Sequence, residues 1–221
     1  MTEILPGIHQ IENIDPSPEF TTHVYLLKNP ENGHTLIDSG LPGSEKAILA
    51  HLERIGVRPH EVTSIVVTHL HNDHTGSLVA LKRLTGATIY AHWLEAAFIA
   101  GHPRYDGRGM PPDHPIDVDV RLRDGELLPA AGGLVAYHTP GHTPGHTAYF
   151  LPERRILFSG DLFFGTPALA LTPPEYTHHI QSAQISARRI HELRPEAILS
   201  YHGGPFPKGA GPLLAQLLPR M

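Results

Sequence analysis

A run of metal-ligand residue types directly after an apolar segment constrains this sequence more than any other feature. The run is His-Leu-His-Asn-Asp-His at positions 69–74, and it follows the segment from Ser64 to Thr68. On a helix, side chains at the first, third, fifth and sixth positions would spread around the axis, and on a strand the last would face away from the others. The four side chains can converge only on a loop at a strand end. We therefore expect a buried strand that delivers an irregular loop carrying ligands.

The residue types in this run are those that bind zinc. Imidazole nitrogens and carboxylate oxygens hold zinc at about 2.0 to 2.2 Å, and a catalytic site leaves one position for water. Four ligands so close in sequence are more than one such ion needs, so two ions are expected. Because the chain has 18 histidines and no cysteine, nitrogen and oxygen must hold any metal. Isolated histidines are expected to lie at the surface or in the core without ligand roles: His9, His51, His60, His178, His179 and His191.

The composition excludes several classes of protein. The chain has 221 residues, 40% of them hydrophobic and 18% charged, which favours a single globular domain over residues 1–221. Its net charge is −5 and its basic residues are scattered, so nucleic-acid binding is not expected. We also expect a cytoplasmic protein without membrane contact, because no apolar run approaches the roughly 20 residues that span a bilayer and the N-terminus lacks a signal-peptide pattern. Homo-oligomer formation is left open.

The order of predicted strands and helices favours an α/β (α+β) fold. Three β-rich runs come first and are expected to form consecutive antiparallel strands; strands and helices then alternate, which predicts sheets with covered faces. The predicted strands are Ile4–Ile11, His23–Leu27, His34–Ile37, Ser64–Thr68, Ala87–Ala91, Leu134–Tyr137, Thr147–Leu151, Ile156–Phe158 and Ala197–Leu199, and the predicted helices are Ser44–Arg54, Leu78–Leu84, Trp93–Ala100, Ile180–Leu193 and Leu213–Leu218. Residues 101–117 are too rich in glycine and proline for a regular element. A lid or oligomer contact and a plain mobile insertion are the alternatives for that loop.

Four motifs resemble those of the metallo-β-lactamase superfamily. Residues 69–74 match the signature His-x-His-x-Asp-His at every defined position. Residues 139–146 resemble the second motif, residues 158–161 the third and residues 201–204 the last. Each motif follows a predicted strand, so the resemblance extends over nearly the whole chain. It implies a four-layer αββα sandwich, in which two mixed β-sheets are flanked by helices.

The resemblance also implies a role for each ligand residue. The first ion would be held by His69, His71 and His142, the second by Asp73, His74 and His202, and Asp161 would bridge them. The ions would be two divalent metals, with zinc favoured over iron or manganese.

Two further residues are expected to support the ligands. The residues alone do not choose between His142 and His146, which share a repeated Thr-Pro-Gly-His pattern. The resemblance selects His142 as the ligand and implies a supporting role for His146. It also places Asp38 beneath the metal loop, where the carboxylate would orient that loop, although an aspartate before Ser39-Gly40 could serve only a turn.

The implied activity is that of a hydrolase with a dinuclear metal centre and a small-molecule substrate. A metal-bridging hydroxide would cleave a small ester, thioester or lactone, and Asp73 would orient the hydroxide and pass a proton to the leaving group. A bridging Asp161 resembles glyoxalase II and lactonases more than true β-lactamases. Only 19 residues follow His202, however, where glyoxalase II has a helical extension that grips glutathione.

The walls of the substrate pocket are expected to come from aromatic residues. These are Phe163, Phe164 and Tyr176, together with the loop at 101–117, whose Arg104 and Arg108 could meet an anionic group. Phe164 stands where lactonases of the family often carry a tyrosine, which disfavours acyl-homoserine lactones.

Two alternative functions are retained. One is a β-lactamase-like hydrolase. The other is a mononuclear iron oxygenase resembling persulfide dioxygenases, in which His71 or its neighbours and Asp161 would form a triad of two histidines and one carboxylate.

Overall fold

Two β-sheets pack face to face, and helices cover the outer face of each sheet. This architecture comes from a computed structural model that describes residues 2–13, 21–102, 114–165 and 168–218. Its strands are β1 (Thr2–Leu5), β2 (Ile8–Asn13), β3 (Thr22–Leu27), β4 (His34–Ile37), β5 (Val62–Val67), β6 (Thr88–His92), β7 (Val120–Leu122), β8 (Leu127–Leu128), β9 (Leu134–His138), β10 (Thr147–Leu151), β11 (Ile156–Gly160), β12 (Phe163–Phe164), β13 (Ala170–Leu171), β14 (Ala197–Ser200) and β15 (Pro205–Phe206). The helices are α1 (Glu45–Arg54), α2 (Asn72–Thr75), α3 (Leu78–Thr85), α4 (Trp93–Ile99), α5 (Ile180–Glu192) and α6 (Ala210–Leu217).

Both large sheets are mixed. Within the described residues, the first sheet has the strand order β1-β2-β3-β4-β5-β6-β7, antiparallel as far as β4 and parallel from β4 onward. The second has the order β15-β14-β11-β10-β9-β8, in which β11 and β14 are parallel and the other neighbours antiparallel. Strands β12 and β13 form a separate small ribbon. The four-layer αββα prediction is confirmed.

Alternation along the strands produces this layering. In β3, Tyr25 packs between the two sheets, whereas its neighbour Leu26 packs under the helices that cover the first sheet. In β10, Tyr149 likewise faces the inter-sheet core and Phe150 faces α5 and α6. Successive side chains of a strand point to opposite faces, so strands covered on both sides must be apolar throughout. This is why the segments Ile65–Val67 of β5 and Ile156–Phe158 of β11 appear in the sequence as continuous hydrophobic runs.

One predicted strand was wrong in its extent. The segment Ile4–Ile11 is broken at Gly7, where the chain turns with a φ of 71° and the strands β1 and β2 pair as an antiparallel hairpin. The Gly7 carbonyl accepts a hydrogen bond from Lys28 N–H at 2.7 Å, which fixes the turn against the end of β3. Glycine adopts a positive φ without steric cost, so the turn falls there. The other predicted strands and helices are present, His34–Ile37 and Thr147–Leu151 with the predicted ends and the rest with shifted ends.

The fold brings the four motifs to one edge of the sandwich. The metal loop follows β5, residues 139–146 connect β9 to β10, Asp161 follows β11, and His202 follows β14. The two sheets are tied together at this edge because Thr147 N–H donates to the carbonyl of Thr68 at 3.0 Å, and the Tyr149 hydroxyl donates to the carbonyl of Val67 at 2.8 Å. Loops from separate strands therefore meet on a rigid base.

Candidate metal centre

The metal loop begins in irregular backbone and ends in a short helix. Residues 68–71 continue beyond β5 without regular structure, whereas Asp73 and His74 lie on the single turn of α2. The carbonyl of His71 accepts from the N–H groups of His74 and Thr75 and so closes that turn. The prediction that all four side chains lie on an irregular loop is therefore wrong for Asp73 and His74. Because α2 begins only after the chain has left β5, its single turn directs Asp73 and His74 toward the other ligand loops.

Three imidazoles form the first cluster. The ring atoms His69 Nε2, His71 Nδ1 and His142 Nε2 lie 2.9 to 3.0 Å from one another. Two ligands held about 2.0 to 2.1 Å from one zinc ion can lie no more than about 4.2 Å apart, so this spacing suits a shared ion. His69 and His142 are buried and His71 is partly open.

Asp73, His74 and His202 form the second cluster. Asp73 Oδ2 lies 3.1 Å from His202 Nε2 and 3.5 Å from His74 Nε2. The ligand atoms of these three residues all lie within 4.8 Å of one another. Both distances from Asp73 are short enough for ligands of one divalent ion.

Asp161 lies between the two clusters. Its Oδ2 is 3.5 Å from His142 Nε2 of the first cluster and 3.4 Å from His202 Nε2 of the second. Its Oδ1 is 3.3 Å from His74 Nε2. The carboxylate thus contacts both sets, as the bridging role predicted for it requires.

The donor atoms fit a pair of cations. His69 Nδ1 and His74 Nδ1 point away from the clusters, toward Thr68 Oγ1 at 3.1 Å and Asp38 Oδ2 at 2.9 Å, so each Nε2 points inward. His74 Nε2 and Asp161 Oδ1 are buried and, although they lie 3.3 Å apart, neither makes a hydrogen bond of acceptable geometry among the described residues. Buried polar atoms are rarely left unsatisfied, and a cation at each cluster would satisfy both.

The two clusters differ in electrostatics. Burial lowers the pKa of His69 and His142, and it lowers the pKa of His71 to about 3, which keeps these imidazoles neutral, as metal ligands must be. Burial also opposes the charge of His202, but Asp161 and Asp73 outweigh it and raise the pKa of His202 to about 9. Excess negative charge therefore surrounds the second cluster, where a metal ion would replace protons as the compensating charge.

Asp38 supports the metal loop from below. This buried carboxylate accepts from Thr68 N–H and from the Thr68 hydroxyl, both at 2.8 Å, and from His74 Nδ1 at 2.9 Å. Its backbone has a φ of 62°, a left-handed conformation that aspartate tolerates better than most residues. The neighbouring Ser39 donates twice to the carbonyl of His74, at 2.7 and 2.8 Å. Asp38 therefore contacts the ring of His74, a predicted metal ligand, and does more than serve the turn at Ser39-Gly40.

His146 uses both ring nitrogens away from the clusters. Its Nε2 accepts from Asp161 N–H at 3.0 Å, so Nδ1 carries the proton and faces the Thr139 carbonyl at 3.2 Å and the Thr139 hydroxyl at 2.8 Å. Gly160 makes this approach possible, because a Cβ there would lie 2.7 Å from His146 Nε2. His146 thus positions the backbone of Asp161, whereas His142 turns a ring nitrogen into the first cluster.

We expect His146→Ala to reduce activity by about 10- to 100-fold while both ions still bind, since it removes only the support of a ligand. The measurement is metal content per chain together with turnover of any active substrate. If this variant lost an ion while His142→Ala kept two, the roles of the two histidines would be reversed.

The aromatic residues predicted to wall the pocket occupy different environments. Phe163 is fully buried beneath α5 and α6, so the prediction that it lines an open pocket is wrong. Phe164 stacks on His202, with ring centroids 4.9 Å apart, and Tyr176 is 48% exposed. Arg104 and Arg108 fall in residues 103–113, outside the described part of the chain, as does most of the loop predicted at 101–117.

Tyr201 is a site residue that the sequence analysis did not single out. Its buried ring stacks on His74, with centroids 3.7 Å apart, and its hydroxyl donates to the carbonyl of Asp73. It precedes His202 in the last motif, which is the only signal that could have pointed to it. Through these contacts Tyr201 fixes two residues of the second cluster at once.

A sandwich of two mixed sheets, with histidine and aspartate clusters on the loops at one edge, defines a class of metal-dependent hydrolases. The model of the metallo-beta-lactamase superfamily matches residues 17–202. The chain belongs to this superfamily and is a metallo-hydrolase.

Individual relatives agree with this assignment. The chain is 27% identical to the probable metallo-hydrolase YflN of Bacillus subtilis over 83% of its own length and 81% of that protein. It is 32% identical to the hydroxyacylglutathione hydrolase of Pseudomonas aeruginosa over 75% of its own length, which is only 58% of that enzyme. The metallo-beta-lactamase family protein TTHA1429 of Thermus thermophilus is similar in structure, with a TM-score of 0.75, 26% identity, and coverage of 99% of this chain and 80% of that one. No helix in the described residues is long and apolar enough to cross a membrane.

Proposed function

We propose that this chain hydrolyses a small ester, thioester or lactone at a site that holds two divalent ions, with zinc the favoured metal. The observation that carries this proposal is the position of Asp161, whose two carboxylate oxygens face His74, His142 and His202 across both clusters. A single ion would leave one of the two compact ligand sets without a cation for its donor atoms.

A pair of divalent ions held by these residues would lower the pKa of a bound water and polarise a carbonyl oxygen. The protein's own groups set the geometry around that chemistry. His69, His71 and His142 supply neutral nitrogens, and Asp73 and Asp161 supply the negative charge that holds a second cation.

Asp73 is the group best placed to handle a proton. Its carboxylate is 27% exposed, whereas that of Asp161 is only 5% exposed, so Asp73 can meet water or a substrate atom. Burial opposes its ionisation, but the charges of His74 and His202 outweigh this and lower the pKa of Asp73 to about 2. A cation at the second cluster would keep this carboxylate ionised in the same way, so Asp73 would take a proton from the attacking water and then donate that proton to the leaving group.

The substrate class is supported by relatives and by the residues at the open side. Proteins named hydroxyacylglutathione hydrolase recur among the curated relatives at 30 to 34% identity, and an acyl group on the thiol of glutathione is a thioester. Phe164 offers an apolar face beside His202, and the exposed Tyr176 offers a second aromatic surface. These residues suit a small acyl group better than a highly charged substrate.

A second candidate function rests on one grouping of ligands. His69, His74 and Asp161 form a compact set of two histidines and one carboxylate, with ligand atoms within 4.8 Å of one another. Such a facial triad is the ligand set of mononuclear iron oxygenases. A persulfide dioxygenase would bind one iron ion there and consume oxygen.

Metal removal and reconstitution test the proposed function. We expect protein stripped with a chelator to lose hydrolysis of thioesters, esters or lactones, and reloading with zinc or manganese to restore it. The same panel should include β-lactams. Oxygen uptake with a thiol persulfide by an iron-loaded sample, combined with no hydrolysis by any reloaded sample, would replace the hydrolase proposal with the oxygenase.

A further inference from the structure

Glu95 is a fully buried carboxylate that contacts two of the ligand loops. It lies in the first turn of α4 and takes no part in either metal cluster. One of its oxygens, Oε2, accepts from Leu70 N–H at 2.8 Å. The other, Oε1, accepts from the Thr143 hydroxyl at 2.7 Å and from Gly145 N–H at 3.0 Å.

These contacts divide between the two loops that build the first cluster. Leu70 lies between His69 and His71, and Thr143 directly follows His142. Each oxygen of Glu95 therefore holds one loop. Because the carboxylate is rigid and planar, it sets the distance between the two loops, and hence between the three ring nitrogens that lie 2.9 to 3.0 Å apart.

Gly145 gives independent evidence that this contact is tight. A Cβ at position 145 would lie 2.8 Å from both Cγ and Oε1 of Glu95 and 2.9 Å from Leu94 Cβ. The backbone of residue 145 can reach the carboxylate only because the residue is glycine. The close approach of helix α4 to the loop at 139–146 thus depends on both Glu95 and Gly145.

We propose that Glu95 is a positioning residue that fixes the spacing of His69, His71 and His142 and so sets the affinity of the first metal site. This inference rests on the proposed two-ion function. Buried carboxylates are costly unless their hydrogen bonds are satisfied, and here three donors from two loops satisfy them. Loss of the hydrogen bonds between Glu95 and one of the two loops should let the loops separate without removing any metal ligand.

Glu95→Gln tests the proposal with little change in shape. The amide has only one acceptor oxygen, so its NH₂ group must face N–H or O–H donors from one of the two loops. We expect one of the two ions to bind about 10- to 100-fold more weakly, as for other losses of ligand support, while the other binds as in the wild type. The readout is titration of the metal-free protein with Zn²⁺ and Co²⁺, in which the visible absorption of Co²⁺ reports the geometry of each site.

A matched control separates this effect from general destabilisation. Asp119→Asn makes the same chemical change at a carboxylate whose hydrogen-bond partners, Lys82 Nζ and Ile89 N–H, both at 2.7 Å, belong to neither loop. It should leave both metal affinities unchanged, and the melting temperatures of the metal-free proteins show what each change costs in stability.

A second variant covers the case in which Glu95→Gln does not fold. Thr143→Ala removes one of the three donors and should weaken the same site by a smaller factor. Wild-type affinity for both ions in whichever of these variants folds would overturn the role of Glu95. Wild-type protein that binds fewer than two ions would instead contradict the proposed function, so the two failures are distinguishable.

Discussion

Asp161→Ala is expected to lose both bound ions and nearly all activity. This carboxylate contacts ligand residues of both clusters and lies 3.3 to 3.5 Å from His74, His142 and His202. Loss of a supporting residue costs about 10- to 100-fold, and loss of a ligand shared by two ions should cost more, on the order of 1,000-fold in kcat/KM. Metal content and turnover should fall together.

Two comparison variants sharpen this expectation. His142→Ala should remove an ion from the first cluster while Asp73, His74 and His202 still bind the second. Asp124→Ala removes an exposed aspartate that pairs with Arg189 at 2.8 Å, and surface pairs of this kind contribute at most about 1 kcal/mol. That control should keep both ions. Two tightly bound ions in Asp161→Ala would show that this carboxylate does not bridge the clusters.

Gly76→Ala is expected to destabilise the fold. A Cβ at this position would lie 2.3 Å from Pro42 Cδ and 2.4 Å from both Pro42 N and the carbonyl oxygen of Asn72. Backbone atoms of two loops would have to separate, and one of those loops carries Asp73 and His74. Overpacking of this kind typically costs about 1 to 3 kcal/mol in the free energy of unfolding, occasionally more. Urea denaturation of the metal-free protein measures the loss.

Gly211→Ala is the matched control. This glycine lies in α6 before Pro212, and the nearest atom beyond its chain neighbours to a Cβ there would be the Pro195 carbonyl oxygen, at an ordinary 3.5 Å. Alanine in a helix is favoured over glycine by about 0.5 to 1 kcal/mol, and the following proline offsets part of this gain, so the control should be close to neutral. Equal unfolding free energies for Gly76→Ala and the wild type would mean that Gly76 does not pack against Pro42 as described.

The sequence was most informative where ligands follow strands. Residues 69–74 could be recognised as metal ligands from a short stretch of sequence, because the ligand residue types and the preceding apolar run lie within about a dozen positions. The layered fold was predictable for a similar reason, since alternation and apolar runs record burial on one or both faces. The choice of His142 over His146 needed the family resemblance. The structure gives the physical basis of this choice, because both ring nitrogens of His146 are hydrogen-bonded, one to Thr139 and the other to Asp161.

Contacts between distant parts of the chain could not be predicted. Glu95 meets Leu70 and Gly145 across 25 and 50 residues, and nothing near Glu95 in the sequence distinguishes it from an ordinary helix residue. The adjacent residues Phe163 and Phe164 have opposite environments, because neighbours on a strand face opposite ways and the sequence does not reveal which one points inward.

Anomalous X-ray diffraction at the zinc absorption edge, from crystals of the zinc-loaded protein, tests the two-ion site most directly. We expect two peaks in each chain, one among His69 Nε2, His71 Nδ1 and His142 Nε2 and the other among Asp73, His74 and His202, with the Asp161 carboxylate between them. A single peak bound by His69, His74 and Asp161, with none at either three-residue cluster, would contradict the two-ion hydrolase and favour the mononuclear alternative.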